Sequence, residues 1–102
     1  MHTDGSAWTA PVLTPRQDRL EATIVRALRT GGTRSELREA VYELVDLFRL
    51  QGIPAARGVA LVMQTAARGA RTDLPRADRP ADAEDWLRLV ASWSERRYTR
   101  SD

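Results

Sequence analysis

Apolar residues recur every three or four positions in four stretches of the chain, which is the spacing of an amphipathic helix. The first stretch has Leu20, Ile24 and Leu28 on one side. Thr14 precedes it as an N-cap, and a pair of glycines at 31–32 follows it as a stop signal. The pattern therefore predicts a helix that begins at Thr14 and ends before these glycines.

The second stretch begins at a capping box, Thr33-Arg34-Ser35-Glu36, and ends at Gly52. It has an apolar stripe made of Leu37, Val41, Leu44 and Phe48, widened by Ala40, Val45 and Leu47. A stripe of this width is typical of a helix that packs one face against a core.

The third stretch begins at Pro54, and its apolar arc covers more than half of the helix circumference. The arc consists of Val59, Ala60, Val62, Met63, Ala66 and Ala67, and the polar strip of Arg57, Gln64 and Arg68. We expect this helix to be the most buried, with Val59, Met63 and Ala66 in the core. Met63→Asp is then expected to abolish folding, because a buried, unpaired carboxylate is very costly. Gly58 lies inside this helix, where it permits close approach by a neighbour.

Residues 70–81 contain two prolines and several charges and are predicted to be a linker. A fourth helix follows, with Asp82 as its N-cap, acidic residues in its first turn and arginines in its last turn. This is the order of charges that the helix dipole favours. Its apolar stripe is Trp86, Leu89, Val90 and Trp93, with Leu87, Ala91 and Tyr98 beside it.

These elements predict an all-α fold, a small four-helix bundle with a flexible N-terminal arm. The arm is residues 1–13 and holds one large apolar residue, Trp8, while residues 14–102 form a single helical-bundle domain. No stretch shows the alternation of a β-strand.

Composition adds three constraints. Hydrophobic residues make up 42% of the 102 residues, which is enough for one modest core. The isoelectric point near 9.9 accompanies a net charge of only +2, because all 16 basic residues are arginine and no lysine titrates near pH 10. There is no cysteine, no secretory signal and no apolar run of the roughly 20 residues that cross a bilayer, so we expect a cytoplasmic protein without membrane insertion.

Few residues are suited to catalysis. The one histidine, His2, lies in the predicted arm, and no glycine-rich phosphate loop is present. The carboxylates Glu36, Glu39, Glu43 and Asp46 fall on one side of the second helix, where they are either a solvated flank or a carboxylate-only magnesium site. We expect no enzyme activity, no cofactor and no metal.

The second helix carries Arg34, Arg38 and Arg49 on the flank opposite its acids. An apolar seam between acidic and basic flanks selects the partner and orientation of a helix. The partner can be internal, because the first helix offers three arginines to the acidic flank: Arg19, Arg26 and Arg29.

Two functions remain open. Residues 44–63 resemble a helix-turn-helix, which favours a nucleic-acid-binding regulator, but only Arg57 of its second helix could reach a base edge. The other function is a small regulatory or adaptor-type protein that binds a protein partner or forms a homodimer. For that function the candidate contact residues are Trp8, Trp86, Leu89, Trp93 and Tyr98. The alternative for Trp86 and Trp93 is that they close the core.

Residues 45–67, with Gly52-Ile53-Pro54 between apolar helices, and the closing helix with Trp86, Trp93 and Tyr98 resemble a set of short uncharacterised all-helical bacterial proteins. The resemblance covers about half of the chain. It implies an all-helical fold and implies no activity.

Overall fold

The computed structural model describes residues 5–30, 32–72, 74–78 and 82–99, and within these ranges it describes side chains from Pro15 onward, apart from Arg76. Its α-helices are α1 (Gly5–Thr30), α2 (Arg34–Leu50), α3 (Ala55–Gly69) and α4 (Ala83–Thr99). A short 3-10 helix, Arg76–Asp78, lies in the connection between α3 and α4. No strand occurs in the described ranges, and the predicted all-α, four-helix fold is confirmed.

Helix α1 begins earlier than its predicted N-cap at Thr14. Its backbone is helical from Gly5, so it includes most of the residues that the sequence assigned to the arm. The helix continues through Pro15, although this proline removes one backbone donor and its ring crowds the carbonyl four residues earlier. Trp8 lies in this first part, but its side chain falls outside the described residues, as does His2. The separate arm at 1–13 stays a prediction.

Local signals set the ends of α2 as the sequence predicts. The Thr33 hydroxyl accepts a hydrogen bond from the Glu36 amide at 3.1 Å, which completes the N-cap. At the other end Gly52 has φ of 78°, and the Ile53 amide donates to the Phe48 carbonyl at 3.0 Å. This is the Schellman closure that a glycine in the left-handed region permits.

The same closure ends α3 without a glycine. Arg71 takes the left-handed position, with φ of 60°, and the Thr72 amide donates to the Ala67 carbonyl at 3.2 Å. An arginine is strained in this conformation. Because a glycine usually marks the left-handed position, the sequence pattern gives no clear stop signal at Arg71.

The helices form two parallel pairs, α1 with α3 and α2 with α4, and the two pairs run in opposite directions. Arg16 pairs with Glu43, so α1 runs antiparallel to α2. Asp46 meets Arg97 at the carboxyl ends of α2 and α4, which therefore run parallel. Tyr98 packs on Gly58, so α3 is antiparallel to α4. The substantial helix contacts join α1 to α2, α2 to α4, α4 to α3 and α3 to α1, while the connection from α2 to α3 crosses the bundle.

The core is centred on α2, and the expectation that α3 is the most buried helix is wrong. The buried side chains of α2 are Leu37, Ala40, Val41, Leu44, Val45, Leu47 and Phe48. In α3 the buried residues are Gly58, Val62, Thr65, Ala66 and Gly69. Ala66 is buried as predicted, but Val59 and Met63 are only half-buried. They line the two grooves between α3 and α4 and are only partly covered by α4.

Two glycines of α3 allow the close approach of its neighbours. A Cβ at Gly69 would lie 3.0 Å from the Val25 Cα in the backbone of α1. A Cβ at Gly58 would overlap the Tyr98 ring of α4, which confirms the predicted close approach at that position. The two glycines therefore let α3 lie close to both α1 and α4. Larger side chains at these positions would overpack the contacts.

The neighbouring residues Val62 and Met63 provide a matched test of this core. We predict that Val62→Asp abolishes folding, because Val62 is fully buried and its new carboxylate has no partner. Met63→Asp, with a half-exposed side chain, should still melt cooperatively. Circular dichroism during thermal unfolding distinguishes the two. A Val62→Asp protein with a native helical signal and a cooperative transition would contradict the assignment of the core.

Candidate functional site

Carboxylates do not assemble into a metal centre. Within the described residues no three histidine or acidic side chains come close enough together to hold a metal ion. The acids Glu36, Glu39 and Glu43 line an open groove of about 600 Å³ between α1 and α2. Asp46 leaves this set and turns toward α4. The magnesium site considered from the sequence therefore has no geometric support in the described part of the chain.

Arg19, Arg26 and Arg29 of α1 do not form the ion pairs with the acidic flank that the sequence suggested. Arg16 makes that contact instead, at 3.2 Å from Glu43. Arg29 extends toward α3 and donates to the Arg68 carbonyl at 3.2 Å. The reason is the helical phase of α1, which directs these three arginines away from α2.

A polar link joins α2 to α4. The Arg97 guanidinium donates two hydrogen bonds to the Asp46 carboxylate, at 3.0 and 2.8 Å, and lies 5.0 Å from the centre of the Tyr42 ring. The hydrogen bonds that Arg97 donates to Asp46 raise the pKa of Arg97. Because Arg97 and Asp46 are engaged with each other, this cluster orients α2 and α4.

The aromatic residues predicted to bind a partner have different environments. Trp93 is 6% exposed and belongs to the core. Trp86 is half-buried; its indole donates to Asp82 at 2.7 Å, and the Arg34 guanidinium lies 5.9 Å from its ring centre.

Leu89 and Tyr98 are half-buried and pack against the core. The Tyr98 hydroxyl donates to the Ile53 carbonyl at 3.3 Å, and burial raises the pKa of Tyr98. Contact of these residues with a partner stays a prediction, as it does for Trp8, whose side chain lies outside the described residues. The intramolecular contacts show that the predicted stripe mainly holds α4 on the bundle.

A different surface of α3 and α4 is left uncovered. The outer flank of α3 carries uncharged apolar residues in every turn, and the adjacent flank of α4 continues it. We define the α3–α4 face by these residues, which are Ala56, Val59, Ala60, Met63 and Ala67 of α3 with Leu87, Ala91 and Tyr98 of α4. Ala56 and Ala60 are exposed, and the other members are half-buried.

Two shallow grooves lie at the ends of the α3–α4 face. One has a volume of about 290 Å³, and Met63, Leu87 and Ala91 form its floor. The other has a volume of about 450 Å³ and is lined by Ala56, Val59 and Tyr98. Each groove has charged residues of α4 at its edge. Apolar floors with few charged groups are suited to binding the side chains of another helix.

The sequence prediction assigned Val59 and Met63 of this face to the core, and it placed the partner contacts on the fourth helix and at Trp8 instead. The available signal was the width of the arc, which exceeds what two neighbouring helices cover. Leu50 is a separate case: it is 81% exposed at the end of α2, and it stands apart from the α3–α4 face. A single exposed leucine is ordinary on a protein surface.

The pair α2 and α3, predicted to resemble a helix-turn-helix, places α3 between α1 and α4. Its exposed polar residues are Arg57, Gln64 and Arg68, and Arg68 already pairs with Glu21 at 3.3 Å. Two of three polar side chains are therefore free of intramolecular ion pairs, which is a small set for reading base edges.

Comparisons with family models, with curated proteins and with solved structures find no match for this chain. No helix in the described part of the chain is both long enough and apolar enough to span a membrane. The resemblance to short all-helical bacterial proteins stays a prediction.

The raised pKa of Tyr98 predicts how stability depends on pH. A group whose pKa is higher in the folded state stabilises the fold below its unfolded value, which for tyrosine is about 10, and this stabilisation is lost as pH rises through the folded value. The free energy of unfolding should therefore fall above about pH 10. Tyr98→Phe should flatten this decline, whereas Tyr42→Phe retains Tyr98 and should keep it. Urea unfolding at pH 8 to 11 measures the effect, and equal slopes for both variants would contradict the assignment.

Proposed function

We propose that this chain is a small regulatory or adaptor-type protein that acts through protein contacts and self-associates through its α3–α4 face. The supporting observation is the uncharged outer flank of α3, where Ala56, Val59, Ala60, Met63 and Ala67 follow one another with no polar interruption. Burial of such a flank releases about 25 cal/mol for each square ångström removed from water. Contiguous apolar patches on small proteins mark interfaces more often than single exposed residues do.

Other surfaces of the bundle differ from this one. The outward side of α1 carries Asp18, Arg19, Arg26 and Arg29, and the groove between α1 and α2 is acidic. Charged surfaces of that kind are well solvated and need no partner. The α3–α4 face therefore gains most from being covered, and a protein partner is favoured over a nucleic acid, which would require a basic surface.

A second copy of the chain is a suitable partner. An apolar flank complements an identical flank, and the alanines let two helix backbones approach closely. Two-fold symmetric contacts are also the commonest way in which soluble proteins associate. A cytoplasmic location belongs to the same proposal, because a chain without cysteine has no need of an oxidising compartment.

Self-association can be tested with two neighbouring substitutions. Met63→Asp places a charge in the centre of the α3–α4 face, whereas Gln64→Asp places the same charge on the exposed polar strip of the same helix. By light scattering at micromolar concentration, we expect the native chain and Gln64→Asp to have about twice the mass of 11.4 kDa. Met63→Asp should scatter as a folded monomer, since a desolvated charge is costly in an apolar contact.

A mass near 11.4 kDa for the native chain, unchanged as concentration rises, would contradict self-association. The same measurement after addition of a short duplex DNA tests the nucleic-acid alternative. A complex that forms only with DNA, and that dissociates as salt is raised, would replace the present proposal.

A further inference from the structure

The outer flank of α4 carries charges in a definite order, although the outer flank of α3 carries none. Along this flank of α4 the exposed residues are Glu84, Arg88 and Glu95, and they lie beside the apolar residues Leu87 and Ala91. The α3–α4 face is therefore apolar, and the charged flank of α4 borders it. Any partner must match both the apolar face and this charged flank.

From this order we infer that the partner is a second copy placed antiparallel by a two-fold axis that passes near Ala91 and Met63. In this arrangement α4 lies against α4 of the partner subunit, and α3 lies against α3 of the partner subunit. Arg88 then lies next to Glu95 of the partner subunit, and Glu95 lies next to Arg88 of the partner subunit. The inference rests on the proposed self-association and specifies its geometry.

The register follows from helical positions. Arg88 and Glu95 share the outer flank, being seven residues or about two turns apart, and the midpoint between them falls between Ala91 and Ser92. In an antiparallel pair of identical helices with the axis at that midpoint, each of these residues faces the other in the second copy. The flank thus forms two symmetric ion pairs, one from Arg88 to Glu95 of the partner subunit and one from Glu95 to Arg88 of the partner subunit. A two-fold contact requires this kind of self-complementarity.

The other two-fold arrangement is less favourable. An axis parallel to the helices would lay α4 on α3 of the partner subunit. Arg88 and Glu95 would then be desolvated over the apolar flank formed by Val59 and Met63, which offers no opposite charge. Burying charges without partners is costly, whereas like surfaces pair well in the antiparallel arrangement. Electrostatics therefore selects one of the two packings that the apolar residues alone would permit.

The same axis also brings the apolar residues of the α3–α4 face into contact with their copies in the partner subunit. Met63 lines one groove together with Ala91, so the two residues lie at the same level of the bundle. Met63 then meets Met63 of the partner subunit near the axis, with Val59 and Ala67 on either side. Methionine is flexible enough to pack against its own copy, and the small Ala91 allows the two α4 backbones to approach.

Arg88 is free to change partners. Its guanidinium contacts Asp85 one turn earlier in α4, but the side chains of this pair are 74% and 73% exposed. Such exposed pairs within a helix contribute little to stability. Exchanging this contact for one with Glu95 of the partner subunit should therefore change the free energy of unfolding of each subunit very little.

Charge reversal tests the register. We compare the dissociation constant of the native dimer with those of Arg88→Glu, Glu95→Arg and the double variant, by sedimentation at low ionic strength. Each single reversal places like charges together at two symmetric points and should raise the dissociation constant about tenfold or more. The double variant restores opposite charges and should return to within about threefold of the native value. Arg96→Glu, on another exposed flank of α4, is the matched control and should leave association unchanged.

A second measurement reports the axis directly. Because the chain contains no cysteine, Ala91→Cys introduces a single thiol, and mild oxidation should link two copies faster than it links Arg96→Cys. Equal rates for the two thiols would overturn the register. A dimer whose affinity ignores the single reversals, or a double variant that is not restored, would also overturn it while self-association stands. A native chain that stays monomeric would instead remove the proposed function itself.

Discussion

The bundle depends on the two-sided packing of α2. Its fully buried side chains, such as Leu44 and Phe48, each stabilise the fold by about 1.5–3 kcal/mol relative to exposure. The ion pairs on its flanks, of Glu43 with α1 and Asp46 with α4, are partly exposed and contribute less. Hydrophobic burial therefore drives the assembly, and the flanking charges determine which helix lies on which side of α2.

Once α1 and α4 occupy the two flanks of α2, α3 closes the bundle from the opposite side. Its glycines 58 and 69 bring α4 and α1 very close, so a narrow band of α3 is enough to complete the core. The apolar arc of α3 is wider than this band. The excess is the outer flank around Met63, and it exists because the bundle order places no fifth element over α3 and α4 within the described chain.

Much of the fold could be predicted because both ends of α2 and the starts of α3 and α4 carry local signals, such as the Thr33 cap and the left-handed Gly52. The start of α1 could not, since a cap residue followed by proline usually marks the first turn of a helix, and here the helix nevertheless continues through it. Met63 was predicted to be buried and is half-buried, and Trp93 was left open between core and interface and is buried. Both outcomes have another reason. Periodicity gives the width of an apolar arc, but only the spatial order of the helices decides which part of it is covered.

The division of residues around α4 explains why the candidate interface contains few aromatic side chains. A chain of 102 residues has a small core, and Trp93, one of the two tryptophans of α4, is needed to fill it. Alanine, leucine and methionine are left for the outer flank. An interface of this kind gains little from any one side chain, so its strength depends on close backbone approach and on matching charges. The proposed association through the α3–α4 face is then expected to be weak, reversible and sensitive to concentration.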